Sequence, residues 1–76
     1  MISAVCFINA ELGEEIKVRR EVGMFQGVKR VVELFGEYDL LVLIKADDLR
    51  QVDFIIDSIR KIEGVKATKT FIEAEY

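Results

Sequence analysis

The 76-residue sequence predicts an α+β fold of element order βαββαβ: a four-stranded antiparallel sheet, order 4-1-3-2, with two helices on one face. Three observations carry this expectation. Leu40, Leu41, Val42, Leu43 and Ile44 are too few for a free-standing helix and too apolar for a strand with one wet face, so they read as a strand covered on both sides. Residues 2–9 are likewise uncharged, whereas the two other strand-like segments carry charges and suit sheet edges. The chain also repeats itself weakly as strand, helix, strand, each half turning at a Gly-Val-Lys, Gly27-Val28-Lys29 and Gly64-Val65-Lys66.

Taken in order, Ile2-Ser3-Ala4-Val5-Cys6-Phe7-Ile8 mixes β-branched, aromatic and small apolar side chains and stops at the turn-prone Asn9. From Gly13 the period lengthens. Leu12, Ile16 and Val22 or Gly23 fall on one stripe, with Glu14, Glu15, Lys17, Arg19, Arg20 and Glu21 around the rest. This predicts an amphipathic helix, acidic early and basic late as the helix dipole favours, closed by the Gly23 to Gly27 segment. Val28 to Phe35 predicts a strand interrupted by Lys29, Arg30 and Glu33, and Gly36-Glu37 supplies a hairpin, the connection being too short for a parallel crossover. Asp47 and Asp48 are N-cap candidates for a second helix reaching about Glu63, with Leu49, Val52, Ile55, Ile56, Ile59 and Ile62 on one face and Arg50, Asp53, Asp57, Arg60 and Lys61 opposite. Gly64 is expected as its C-cap. Val65 to Ala74 alternates as a last, charge-bearing strand, ending in a solvated Glu73, Glu75 and Tyr76. Right-handed crossovers that set the first and third strands side by side give the ferredoxin-like order.

Composition narrows the function. A single domain over residues 1–76 is expected, and a chain this small hides only about 60% of the surface of its unfolded form, so it needs added stabilisation. One cysteine, Cys6, excludes an internal disulfide, and the lack of histidine removes the commonest metal ligand and general base. Cys6 reads as a small core residue and Asp47-Asp48 as a cap, so no metal site and no cofactor are expected. Self-association remains. One of the sets Leu40, Val42, Ile44 or Leu41, Leu43, with alternate residues of the first strand, is left without helix cover, and a second copy of the chain is its simplest cover. A net charge of −3, with Lys17, Arg19, Arg20, Lys29 and Arg30 interleaved with glutamates, offers nucleic acid no basic footprint. No run approaches the roughly 20 apolar residues of a membrane span and no basic leader is visible, so a cytoplasmic location is the expectation.

Two motifs admit a plain and a functional reading. Gly36-Glu37-Tyr38-Asp39 is at its plainest a hairpin turn with Gly36 at positive φ, Asp39 bonded to nearby amides and Tyr38 on the surface. Functionally, its free backbone amides and the Asp39 carboxylate form a small polar niche suited to the carboxylate and ammonium of an amino acid. Thr68 and Thr70 share one face of the last strand. They are either ordinary edge-strand residues or a pair of hydroxyls lining a pocket at a subunit junction.

The Gly36-Glu37-Tyr38-Asp39 turn before an aliphatic strand, Gly27-Val28 before the second strand, and Gly64-Val65 leading to Thr68-Lys69-Thr70 together resemble the ligand-sensing domain of the Lrp/AsnC transcription regulators, the RAM domain (regulation of amino-acid metabolism). The likeness spans essentially the whole chain. Family members of full length carry a helix-turn-helix domain upstream, so the resemblance implies a stand-alone RAM module without its own DNA reader. It further implies a ferredoxin-like homodimer joined into rings of eight or ten, a free amino acid as effector at subunit interfaces, and full-length relatives as partners. Carried over residue by residue, the ligand contacts are Gly36, Glu37, Tyr38 and Asp39, with Thr68 and Thr70 as flanking hydroxyls. Asp39 is the partner of the ligand's ammonium group. The competing expectations are a small enzyme on the same dimeric α+β barrel, such as a cofactor-free oxygenase or an isomerase, and a purely structural oligomerisation module.

Overall fold

A computed structural model describes residues 1–73. Its elements are β1 (Ile2–Ala10), α1 (Glu15–Gly23), β2 (Val28–Glu33), β3 (Leu40–Ala46), α2 (Leu49–Arg60) and β4 (Val65–Ile72). The strands form one sheet in the order β2-β3-β1-β4, which is 4-1-3-2 read from the other edge, and all pairings are antiparallel. The predicted architecture is therefore the observed one, with the uncharged strands in the middle.

Alternation along β1 and β3 decides which side chains enter the core. Cα partners Ala4 with Ile44, Cys6 with Val42 and Ile8 with Leu40 present six buried residues to the helices. Val18 and Val22 of α1 and Val52, Ile55, Ile56 and Ile59 of α2 close over them, and no polar or charged side chain is buried among the described residues. The remaining partners, Val5 with Leu43 and Phe7 with Leu41, point to the other face. Only that set lacks helix cover, which settles the alternative the sequence leaves open: Leu41 and Leu43 are the uncovered pair.

Several expected boundaries and faces move. α1 begins at Glu15, and its core contacts are Val18 and Val22 on successive turns, whereas Ile16 is 66% and Leu12 96% exposed. Leu12 lies ahead of the helix, in the turn containing Gly13, so the stripe traced through Leu12 and Ile16 starts out of phase. α2 is capped by Asp48, whose Oδ1 accepts from the Gln51 amide at 2.9 Å while Gln51 Oε1 accepts from the Asp47 amide at 2.8 Å, a reciprocal capping box. Leu49, in the first turn, is exposed. The helix stops at Arg60 with Lys61 as its C-cap, so Gly64 is not the cap. Gly64 instead occupies a positive φ of 105° three residues later, where the chain turns into β4. β1 runs one residue beyond Asn9, and the strand end expected at Ala74, with Glu75 and Tyr76, lies outside the described residues.

The internal repeat is realised at the level of single hydrogen bonds. After α1, Phe25 N–H donates to Val22 O and Val28 N–H to Phe25 O, both at 3.2 Å. After α2, Ile62 N–H donates to Ile59 O at 3.1 Å and Val65 N–H to Ile62 O at 3.2 Å. Gly27 and Gly64 take corresponding left-handed positions, with φ of 96° and 105°. The Gly27 site is also crowded: a Cβ there would lie 2.7 Å from Ile55 Cδ1 and 3.2 Å from Lys45 O.

Gly27→Ala should therefore lose about 1–3 kcal/mol through combined backbone strain and overlap, read as a lower urea midpoint at fixed protein concentration. Ile59→Ala, which empties a site with no solvent exposure, should lose about 2–5 kcal/mol in the same assay. A midpoint for either variant equal to that of the parent chain would contradict the packing described.

Candidate functional site

The turn singled out by sequence is larger than Gly36-Glu37. β2 ends at Glu33, and Leu34 N–H donates to Asp39 O at 2.9 Å, so residues 35–38 form the tip. The loop is then fastened to β1. Asp39 N–H donates to Ile8 O at 2.9 Å, and Asp39 Oδ2 accepts from the Ala10 amide at 2.8 Å. The β1·β3 ladder ends at the Ile8 and Leu40 pair, so β3 has no residue left to accept from Ala10. The carboxylate takes the place of the missing carbonyl, at the point where the β1·β4 register also shifts, between Asn9 and Ala10. Asp39 is thus both the expected ligand contact and a structural acceptor, with Oδ1 outside that bond.

Gly36 and Glu37 are exposed, and their amides have no hydrogen-bond partner among the described residues. Gly36 takes a φ of 152°, with nothing within 4 Å of where a Cβ would stand. Tyr38 turns to the uncovered sheet face, its ring centroid 5.1 Å from that of Phe7 at a 40° tilt. Phe7 in turn meets Phe71 edge-on at 6.1 Å, and Lys69 Nζ stands 5.6 Å over the Phe71 ring.

Thr68 and Thr70 lie elsewhere. Their Cα partners are Ile8 and Cys6, which puts both hydroxyls on the helix side of the sheet. Thr68 Oγ1 accepts from Arg60 Nε at 3.0 Å, and Thr70 Oγ1 is buried without a hydrogen-bond partner of good geometry among the described residues. Among the described residues, the groove that Asp39 lines includes neither threonine. Next to Thr70, burial pushes the Cys6 thiol above its ordinary pKa, with the Thr70 hydroxyl and then the Arg60 charge opposing weakly, so Cys6 is a protonated core residue at neutral pH.

Asp39 does line a groove of about 350 Å³ with Glu15 and Ile16 of α1, Glu33 at the end of β2, Leu34, Phe35 and Leu40. Arg19 Nη1 and Glu33 Oε1, 2.7 Å apart, tie α1 to β2 beside it. Sequence reasoning missed Glu15, Ile16, Leu34 and Phe35. The available signal was a large aromatic directly before a turn glycine: Phe35 is fully exposed, as no residue chosen only for packing would be. Among the described residues no group of three or more His, Cys, Asp or Glu is arranged to hold a metal, and no helix is long and apolar enough to cross a membrane.

With this geometry in view, the model of the Lrp/AsnC ligand binding domain family matches residues 3–75. The chain belongs to that family. It is a ligand-sensing module of the regulatory type, as its turn and sheet lead one to expect. A hypothetical protein from Pyrococcus horikoshii is 31% identical, with a TM-score of 0.90 over 100% of this chain and 93% of its own. A Thermus thermophilus protein is 25% identical at a TM-score of 0.95, covering 100% and 96%. AsnC of E. coli shares the fold at a TM-score of 0.88 with 13% identity, and this chain covers 52% of it. A segment of homocitrate synthase from Sulfolobus acidocaldarius is 43% identical over 70 residues, 92% of this chain; the chain spans 14% of that enzyme's length.

Replacing Asp39 should separate its two roles. Asp39→Ala leaves the Ala10 amide without its acceptor and should lose about 1–3 kcal/mol of stability. Asp39→Asn keeps an acceptor oxygen and should stay within about 1 kcal/mol of the parent, compared by urea titration. Equal stability of all three proteins would show that the Ala10 bond contributes nothing.

Proposed function

We propose that this domain senses a free amino acid as a homo-oligomer and modulates Lrp/AsnC-type transcription regulation by joining full-length relatives through the same interfaces. The observation that carries the reading is the Asp39 carboxylate, held by the Ala10 amide at a turn whose tip has free amides. The ligand's ammonium sits on Asp39 and its carboxylate on the amides of Gly36 and Glu37, at the loop whose Tyr38 packs against Phe7 on the uncovered face. Each charge-assisted contact contributes about 1.5–3 kcal/mol. Thr68 and Thr70 reach such a ligand only from another copy, which fits a site at a subunit junction. No cofactor enters this scheme. The setting is the cytoplasm, where free amino acids and their regulators meet.

Association is supported by the uncovered face. Val5, Phe7, Leu41 and Leu43, with Tyr38 and the half-exposed Phe71, form an apolar surface flanked by Arg30, Lys45 and Lys69. Two such faces packed together make a homodimer, and dimers joined edge to edge make a ring of eight or ten. A standard interface takes about 800 Å² from each partner, which a four-stranded sheet can supply.

A second reading has its own observation, the 43% identity to part of homocitrate synthase. A module of this kind can report an amino acid to a biosynthetic enzyme as well as to a promoter-bound regulator. Under either reading the module itself performs no catalysis; an all-negative ligand screen on an intact ring would favour a purely structural module, whereas a deep internal cavity holding a carboxylate of raised pKa would favour a dimeric α+β barrel enzyme.

Titration calorimetry of the twenty amino acids should find one that binds the parent chain and binds Asp39→Asn at least about tenfold more weakly, the loss expected when a charge-assisted contact becomes neutral. Equal affinity of the two proteins would remove Asp39 from the site. In sedimentation at micromolar concentration the parent should run as a multiple of its 8.7 kDa mass, and Leu41→Asp should shift it toward the single chain. A parent that runs as one chain would overturn the oligomeric part.

A further inference from the structure

We infer that the effector is a basic amino acid, with a long aliphatic side chain ending in a cation, lying in the groove between the start of α1 and the β2–β3 loop. This rests on the reading of Asp39 as the ammonium partner and adds what the rest of the ligand must be. The groove, about 350 Å³, falls at the lower end of the range for small-molecule sites. Its walls are Ile16, Leu34, Phe35 and Leu40. Ile16 is 66% exposed and Phe35 fully exposed, so neither is explained by the core of its own protomer. Apolar side chains left in water on either side of a cleft suit a ligand stem that covers them.

Charge fixes the far end of that stem. The ionisable lining consists of Glu15, Glu33 and Asp39, with no cation among the residues that form the groove. Glu33 is already balanced by Arg19 at 2.7 Å, and Asp39 gives Oδ2 to the Ala10 amide, whereas Glu15 has no ion pair among the described residues. An α-ammonium on Asp39 therefore leaves Glu15, half-buried in the first turn of α1 and without an ion pair among the described residues, as the carboxylate open to a second cation. A neutral amino acid leaves it without that partner, and an acidic one adds a like charge. A side chain of several methylenes with a terminal ammonium or guanidinium answers both the wall and the charge. The other grooves lack this combination. The one beside Phe25 and Phe54 is about 120 Å³ and has no ionisable lining, the one at Ser3, Leu43, Lys45 and Glu73 lies on the face assigned to a second copy, and the one of about 160 Å³ at Gln26, Lys29, Lys45 and Asp47 carries two cations.

L-Lysine and L-norleucine separate this inference from the one it rests on, because they share a stem and differ in the terminal charge. By calorimetry, lysine should bind the parent chain about two- to fivefold more tightly than norleucine, the range for a partly exposed ion pair. The preference should shrink in high salt and vanish in Glu15→Gln, while Phe35→Ser, altering only an exposed ring, should weaken both ligands. Thermal midpoints confirm that the variants are folded. Norleucine binding as tightly as lysine, or a lysine preference that survives Glu15→Gln, overturns the inference. If norleucine binds, Asp39→Asn abolishes it and lysine gains nothing, the basic class falls while amino-acid sensing stands. If none of the twenty amino acids binds, both fall.

Discussion

Two adjacent strands that are apolar on both faces, in a chain whose helices cover one face, constrain everything else about this protein. β1 and β3 each alternate core and open positions without inserting a charge on the open side until Lys45. An antiparallel sheet with one wet face normally shows apolar residues inward and polar residues outward. Here the outward set is Val5, Phe7, Leu41 and Leu43, so the sheet leaves apolar side chains on the face that no helix covers. The edge strands behave differently: β2 carries Lys29, Arg30 and Glu33, and β4 carries Lys66 and Lys69. Charges there discourage uncontrolled edge pairing.

That same pattern explains what was legible in the sequence. Element order, strand order and the central position of Leu40–Ile44 follow from where charges are absent, and periodicity two on a strand leaves little freedom. The short helix was harder. α1 has only Val18 and Val22 in the core, too few apolar residues to fix a phase, and Ile16 offered a competing stripe. Ile16 instead lines the groove beside the β2–β3 loop, a neighbour that only the folded chain brings to it. α2, with Val52, Ile55, Ile56 and Ile59 buried, has enough such residues to fix its face unambiguously; only Leu49 in its first turn and the last turn before Gly64 departed from expectation. Where several independent signals agree, prediction from sequence is firm, and where one weak signal stands alone it is not.

For the candidate site the sequence identified the turn but not its surroundings. Asp39 could be singled out because a carboxylate after a Gly-containing turn has few roles, and it fills the structural one, bonding a nearby amide. That the amide belongs to Ala10, 29 residues earlier in the chain, depends on where the β1·β3 ladder stops. Thr68 and Thr70 show the opposite limit. Their spacing correctly puts them on one face, but spacing does not say which face, and register with Ile8 and Cys6 assigns them to the helix side. A role for them in ligand binding then depends on assembly, beyond the reach of one chain's periodicity.

The two uses of Asp39 bear on how sensing reaches the interface. The residue joins the tip loop to β1, and the loop's own aromatic, Tyr38, lies against Phe7 on the face meant for a second copy. A ligand that draws on the Asp39 carboxylate therefore acts on a group bonded to the backbone of a central strand, one residue from a ring in the association surface. Under the proposal that the effector sits on Asp39 and copies meet on the face of Tyr38 and Phe7, the two events meet at one loop, and thermodynamic reciprocity then requires that whatever the effector does to assembly, assembly does equally to the effector's affinity.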